Sequence, residues 1–363
     1  MGERRFDKKK GRTMQFLRDR KIYTRLGALV AALAIAAFAA ADTVETVQAG
    51  GIKFEVHVGS RTANLFHVVD QMSEWSQYCH KQYGRWWTKT YGPYSDEDRQ
   101  LLAEYSEVRK RKGWGGGLEQ SLYVSADLDQ ALSDAVSAGR LTQSEADTER
   151  KVLLHFAPGI DKLTEELKDA GDAFLAKLRD KKEDLASFAA KAGRLFGTKS
   201  IDVPVFLIPD PDDNSRGGGF NGGVISLEIP PKTDMFPILL HECFHAFINP
   251  KKDRLNEVVK GVDGLDEETL NEGIAYAIAP GLLHDSGRVD PLRDEALYDV
   301  KQGKQLGTDS YMRFHWYALA LRPLVQEALD DPNATLDTFL PRAIDAWRVL
   351  NDLPIGSLAV KGG

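Results

Sequence analysis

The segment from His241 to His245 reads His-Glu-Cys-Phe-His and lies inside a strongly apolar stretch. On a helix, two histidines four residues apart are about one turn apart, so both imidazoles face the same way. Two imidazoles on one face can bind a metal ion, and Glu242 between them can reach a metal-bound water as general base. The alternative is a core helix whose histidines bond to backbone carbonyls. We favour the metal, because polar side chains in an apolar helix are costly to bury without partners.

A metal site of this kind needs a third protein ligand and an open position, and Glu272 is the candidate. It lies in a second apolar helical pattern that begins at Asp266. An unpaired carboxylate would be expensive there. Four other acids are close enough in sequence to serve instead: Asp263, Asp266, Glu267 and Glu268. They crowd the start of the helix, where acids are expected as caps and dipole partners without any metal.

The spacing of these residues resembles the gluzincin branch of the HExxH metallopeptidases. The resemblance rests on His241, Glu242 and His245, and on Asn271-Glu272 followed by Ala275, and it spans about residues 200–325. In that family the two histidines and the later glutamate bind zinc, and the glutamate of HExxH is the base. The resemblance therefore implies Zn²⁺ held by His241, His245 and Glu272, with Glu242 as the catalytic base.

One position departs from the family pattern. Thermolysin-like members carry an aspartate four residues after the ligand glutamate, where it orients a histidine ligand, and Tyr276 stands here instead. The family often takes its oxyanion donor from a later helix. Tyr311 and His315 share one face of a helix predicted over residues 309–328 and are our candidates for that catalytic role. The alternative for each is an ordinary packed aromatic ring.

Two apolar segments upstream of the motif are predicted to be strands. Residues 201–208 form one, and residues 209–223, rich in Pro, Asp and Gly, form a loop. Val224–Ile229 alternates and stops at two prolines, which indicates an edge strand or the end of a strand. The resemblance implies that a peptide or protein substrate pairs along this edge.

The fold class predicted is α+β and mainly helical. Residues 50–198 are expected to form a mostly helical domain, in which residues 51–58 are a strand and the preceding residues 44–51 a linker. Residues 199–350 are expected to form a zincin-like catalytic domain with a small mixed sheet and the HExxH helix.

The first 41 residues have the order of a secretory signal peptide. Ten Lys and Arg precede an apolar run over residues 26–40 that ends in small residues. The run is short for a bilayer span, although an uncleaved anchor is the alternative and would be the chain's one membrane contact. Without this leader, 37 basic and 51 acidic residues remain, a net charge near −14. Such an acidic chain has no electrostatic footprint for nucleic acid.

The chain has two cysteines, Cys79 and Cys243. Export would permit a disulfide between them. Cys243 points away from the predicted metal face, and a small buried thiol is the better prediction.

Together these patterns predict an exported zinc metallopeptidase that hydrolyses peptide bonds. Two alternatives remain at this point. One is a zinc hydrolase of a non-peptide amide or ester. The other is a binding protein on a catalytically retired zincin scaffold, against which an intact Glu242 argues.

Overall fold

The computed structural model describes residues 42–114, 117–213, 217–278 and 310–352, without the side chains of residues 310–312, 351 and 352. The predicted signal peptide, residues 1–41, lies outside them. From Asp42 onward the chain forms one compact unit. Within the described part of the chain, no helix combines the length and the apolar character needed to cross a bilayer.

A five-stranded mixed sheet lies at the centre of this unit, in the order β1-β2-β3-β5-β4. The β1–β2 and β4–β5 pairs are antiparallel, whereas β2–β3 and β3–β5 are parallel. The strands are β1 (Thr43–Ala49), β2 (Ile52–Val58), β3 (Ile201–Pro209), β4 (Gly218–Asn221) and β5 (Val224–Ile229). The sheet therefore crosses the boundary that we predicted between residues 198 and 199.

Helices make up most of the rest of the described chain, so the predicted α+β, mainly helical class is confirmed. Eight helices lie between β2 and β3: α1 (Arg61–Met72), α2 (Gln82–Tyr91), α3 (Asp96–Lys112), α4 (Leu118–Val124), α5 (Leu128–Ser137), α6 (Gln143–Glu166), α7 (Lys168–Asp180) and α8 (Lys182–Phe196). After β5 come α9 (Phe236–Ile248), a short 3₁₀ turn (Asn249–Lys251), α10 (Lys252–Val259), α11 (Glu267–Ile278), α12 (Ser310–Asp330) and α13 (Leu336–Asp352).

The two faces of the sheet belong to two different apolar cores. On β5, Ile225, Leu227 and Ile229 pack with α8 and α9 in one core. Phe206 and Ile208 of β3 pack on the opposite face with helices α1 to α6. This division follows from the alternation of side chains along each strand. It places β3 and β5 between two helical layers, so both faces of each strand are buried.

Two sequence predictions about the sheet were wrong. Residues 44–51 are not a linker, because Thr43–Ala49 pairs along its whole length with β2. Val224–Ile229 is not an edge strand, because β3 pairs with one side of it and β4 with the other, although the strand does end at Ile229 before the two prolines. The chain turns back at the end of the predicted loop, and four residues of that loop form β4, the true edge.

Both cysteines are buried and free, as predicted for small core thiols. Cys243 packs in the core beneath α9. Burial raises the pKa of Cys79 to about 12, so its thiol stays protonated.

Glu149 on α6 is fully buried, and among the described residues neither of its carboxylate oxygens has a hydrogen-bond partner. Burial raises the pKa of Glu149 well above its ordinary value, against the opposing charge of Arg109. The folded state therefore binds a proton that the unfolded state releases above about pH 4.5. Stability contributed at this position is present at low pH and is lost as pH rises toward the folded pKa.

Replacing this carboxyl by a neutral amide should therefore stabilise the protein at higher pH. We expect Glu149→Gln to raise the free energy of unfolding by about 1–2 kcal/mol at pH 8 and by much less at pH 5. Urea denaturation at both pH values measures this difference. Glu165→Gln, on the exposed side of the same helix, is the matched control. An equal effect of Glu149→Gln at both pH values would contradict the prediction.

Candidate metal centre

Helix α9 carries the His-Glu-x-x-His segment through the core. Asp234 accepts a hydrogen bond from the Phe236 amide at 3.0 Å, and Pro237 follows in the first turn, where its missing N–H is tolerated. Apolar side chains on most of the helix surface bury it between the sheet and the later helices. The histidines at 241 and 245 are consequently held on a buried helix and are 7% and 8% exposed.

Helix α11 brings a carboxylate to these histidines. Its amino terminus is fixed by Asp266, whose carboxylate accepts from the Thr269 amide at 2.7 Å. Glu272 follows on the side that faces α9. Gly273 allows α12 to pack against this helix closely, because a Cβ there would lie 2.6 Å from Cδ1 of Tyr317. The tight packing of α11 between α9 and α12 sets the position of Glu272.

The three predicted ligands lie together. His241 Nε2 is 3.3 Å from one oxygen of Glu272, and His245 Nε2 is 3.4 Å from the other. The two imidazole nitrogens are 3.2 Å apart. Among the described residues, His241, His245 and Glu272 form the one group of histidines, cysteines and acids that could hold a metal ion.

The four alternative third ligands are not part of this group. Asp266 acts as the helix cap. Glu267 pairs with Lys252 at 3.5 Å and accepts a hydrogen bond from Asn271 at 3.3 Å. Asp263 and Glu268 also lie outside the metal-binding group. The preference for Glu272 over its neighbours is therefore supported by geometry.

Asn271 supplies the histidine partner that the sequence did not reveal. His245 Nδ1 donates to Asn271 Oδ1 at 3.2 Å, and Asn271 Nδ2 donates in turn to Glu267 Oε1. This bond puts the proton of His245 on Nδ1 and leaves Nε2 free to bind a metal. Asn271 directly precedes Glu272, so one helix turn supplies both a predicted ligand and the group that orients a second predicted ligand.

The two imidazoles differ in their electrostatic surroundings. Burial lowers the pKa of His245 to about 4, and the charge of His241 acts in the same direction. Burial also disfavours protonation of His241, but the hydrogen bond with Glu272 and the charge of Glu242 outweigh it, so its pKa is raised. His245 is therefore neutral at physiological pH, which is the form that binds metals.

Glu242 is 7% exposed, and its carboxylate accepts a hydrogen bond from the backbone N–H of Phe220 on β4. Burial raises the pKa of Glu242 to about 7, against the opposing charge of His241. The edge strand thus holds the carboxylate that lies next to the first predicted ligand.

The structure brings one of the two candidate oxyanion donors to the site. His315 on α12 is buried, and its ring centroid lies 4.6 Å from that of Tyr276. The Tyr276 ring in turn lies 4.4 Å from that of His241. Tyr276, which stands where the resemblance would place an aspartate, therefore lies between a predicted ligand and His315. Tyr311 is outside the residues whose side chains the structure describes.

No protein-family model, curated protein or solved structure matches this chain. The likeness to HExxH metallopeptidases therefore rests on the site residues themselves.

If Asn271 orients His245, removing it should weaken metal binding and leave the fold intact. We expect Asn271→Ala to lower the affinity for Zn²⁺ by about 10–100-fold, as is typical when the partner of a histidine ligand is lost. Competition with a chromophoric chelator measures this affinity. Asn256→Ala on α10, whose side-chain amide donates to the Lys252 carbonyl of the same helix, is the control. Equal affinities of the two variants would exclude the assigned role of Asn271.

Proposed function

We propose that this chain is a zinc-dependent peptidase of the HExxH…E type, with a zincin-like catalytic region. The observation that carries the proposal is the convergence of two imidazoles and one carboxylate at 3.2–3.4 Å, beside the carboxylate of Glu242. The three side chains come from two separate helices, α9 and α11. Burying polar side chains in an apolar core without partners costs free energy. Their convergence therefore favours a shared ligand such as a metal ion.

The donor set fits zinc. Zinc bonds to imidazole nitrogen and carboxylate oxygen are about 2.0–2.1 Å, so two ligands on a tetrahedron lie about 3.3–3.4 Å apart. The two imidazole nitrogens are 3.2 Å apart, and each lies 3.3–3.4 Å from a different oxygen of Glu272, so the group is compact enough to surround one ion. Three protein ligands leave one position open, which is the arrangement of a catalytic rather than a structural site.

Zinc held there would supply Lewis acidity and lower the pKa of a bound water. The protein's own part is proton transfer. Glu242 accepts a proton from the attacking water and passes it to the leaving amine. A backbone hydrogen bond from Phe220 lowers the pKa of Glu242 and helps to orient its carboxylate. His315 and Tyr311 are proposed as donors to the developing oxyanion.

The substrate edge of this proposal is β4. This strand is the last one at its edge of the sheet, and it packs closely against α9. A Cβ on Gly218 would lie 2.7 Å from Cγ2 of Ile238 in that helix. An extended peptide can add to such an edge through main-chain hydrogen bonds. We therefore move the expected pairing from Val224–Ile229 to Gly218–Asn221, one strand further out.

Ligand and base should give different phenotypes when they are replaced. Glu272→Ala removes a metal-binding oxygen and is expected to lose bound zinc together with activity. Glu242→Gln keeps an acceptor for the Phe220 N–H and should keep about one zinc per chain, while turnover falls by about 10²–10⁴-fold. Metal analysis and peptide hydrolysis of both variants measure these effects.

The outcomes also separate the alternatives. Full zinc content in Glu272→Ala would contradict the ligand assignment. Digestion of a random peptide library by the wild-type chain tests the substrate class. An intact library with hydrolysis of small amides or esters would indicate a non-peptide hydrolase. An intact library with neither reaction would indicate a retired binding protein.

We further propose that the protein is exported and that its leader is removed near Ala39 or Ala41, after the small residues that end the apolar run. Mass spectrometry of the exported protein should find a new amino terminus close to these residues. An intact amino terminus on a membrane-bound protein would support the anchor instead.

A further inference from the structure

The face of β5 that points away from α9 carries a buried carboxylate, Glu228, with 0% exposure. Three side chains from the helical layer donate to it. His67 Nε2 on α1 lies 2.8 Å from Oε1, His80 Nδ1 lies 2.8 Å from Oε2, and Gln82 Nε2 on α2 lies 3.2 Å from Oε2. We call Glu228, His67, His80 and Gln82 the Glu228 cluster.

The cluster is charged, and it is not a second metal site. Burial raises the pKa of Glu228, but the charges and hydrogen bonds of His80 and His67 outweigh burial and lower it to about 2. The carboxylate is therefore ionised at physiological pH. Direct hydrogen bonds occupy the space between these side chains, and within the described residues they form no metal-binding group.

Gly217, the residue just before β4, packs closely against this cluster. A Cβ on Gly217 would be 1.8 Å from Glu228 Oε2 and 2.7 Å from Cε1 of His80, so no larger residue fits there. The Gly217 carbonyl also accepts a hydrogen bond from the Glu228 amide at 3.0 Å. Glu228 thus contacts Gly217 with both its side chain and its main chain.

Gly217 immediately precedes β4, which has four residues and pairs with β5 along one side. So short a strand has few hydrogen bonds of its own to fix its position. Three residues after Gly217, the Phe220 N–H binds Glu242. The edge strand is therefore held between the Glu228 cluster at its start and the catalytic carboxylate near its end.

Filling this part of the core with a buried carboxylate costs free energy. Burying a carboxylate costs several kcal/mol before its partners compensate, and apolar residues of similar volume are often at least as stabilising. An apolar side chain at position 228 would pack between the sheet and the helices, but it could not bind His67, His80 and Gln82 to the strand that lies beside Gly217. The cluster is therefore better explained by its contact with the segment that leads into β4 than by overall stability.

We propose that the Glu228 cluster is a positioning device that holds β4 in place for an extended substrate, with Glu228 and His80 as positioning residues. This inference rests on the proposed function, since β4 is the substrate edge only if the chain is a peptidase. The cluster touches neither the metal ligands nor Glu242, so its loss should leave metal binding unchanged. It should act instead on the binding of peptides long enough to reach the edge.

His80 is the best position for a test, because its side chain is 38% exposed and its replacement need not unfold the protein. His80→Ala removes the donor to Glu228, whereas His80→Asn places an amide N–H near the position of Nδ1. His155→Ala is the control. It removes a similar histidine–carboxylate pair, to Asp98 at 2.7 Å, which joins α6 to α3 within the helical layer.

For His80→Ala we expect the KM of an extended peptide to rise about tenfold, with a smaller change in kcat, unchanged zinc content and little effect on a blocked dipeptide. His80→Asn should restore most of the lost affinity. Hydrogen exchange at the amides of residues 219–221 should become about tenfold faster in His80→Ala and stay unchanged in His155→Ala.

Peptide hydrolysis tests the proposed function, and hydrogen exchange in β4 tests the positioning role, so the two proposals can be contradicted independently. If the wild-type chain hydrolyses no peptide but His80→Ala still accelerates exchange in β4, the proposed function falls and the positioning of the strand stands. If exchange in β4 is the same in His80→Ala and His155→Ala, the positioning role is overturned. A KM that rises equally in both histidine variants, or equally for long and short substrates, would also overturn it.

Discussion

The contact on which the arrangement of the site depends is the one between α9 and α11, where two imidazoles and one carboxylate meet in an apolar core. His241 and His245 share a helix face because four residues make about one turn. Glu272 reaches them because α11 is packed tightly against both α9 and α12. Without a common ligand, these polar groups would be a large cost to the fold. A metal ion bound by all three groups, as we propose, would offset that cost.

The sheet contributes to the site through its edge rather than through its centre. The backbone N–H of Phe220 in β4 donates a hydrogen bond to Glu242. Gly217, just before the strand, packs closely against the Glu228 side chain. The helical layer reaches the same strand through His67 and His80. The regions before and after residue 199 therefore share one sheet and meet at β4. If β4 binds substrate as we propose, the helical layer helps to position the strand that binds it.

Much of the site could be predicted because its signals are local. The spacing of His241 and His245 needs only helix geometry, and Glu272 stands out as a carboxylate inside an apolar helical pattern. The strand at residues 201–208 and the helix after β5 were also predicted correctly, since each depends on its own periodicity.

What the sequence could not reveal depends on contacts between distant segments. Asn271 binds a histidine 26 residues away, and Glu228 binds His67 across 161 residues. Val224–Ile229 has the alternation of an edge strand, but its polar positions face a second helical layer that no local pattern indicates. β4 was hidden in a loop rich in glycine, because its pairing with β5 rather than its own propensity makes it a strand.

Anomalous diffraction at the zinc absorption edge, from crystals of the purified protein, tests the central claim most directly. The account predicts one strong anomalous peak that marks a zinc ion. This ion should lie about 2.0–2.1 Å from His241 Nε2, from His245 Nε2 and from a carboxylate oxygen of Glu272. A metal bound by other side chains would contradict it. A crystal grown with excess zinc that shows no metal between these three side chains would also contradict it.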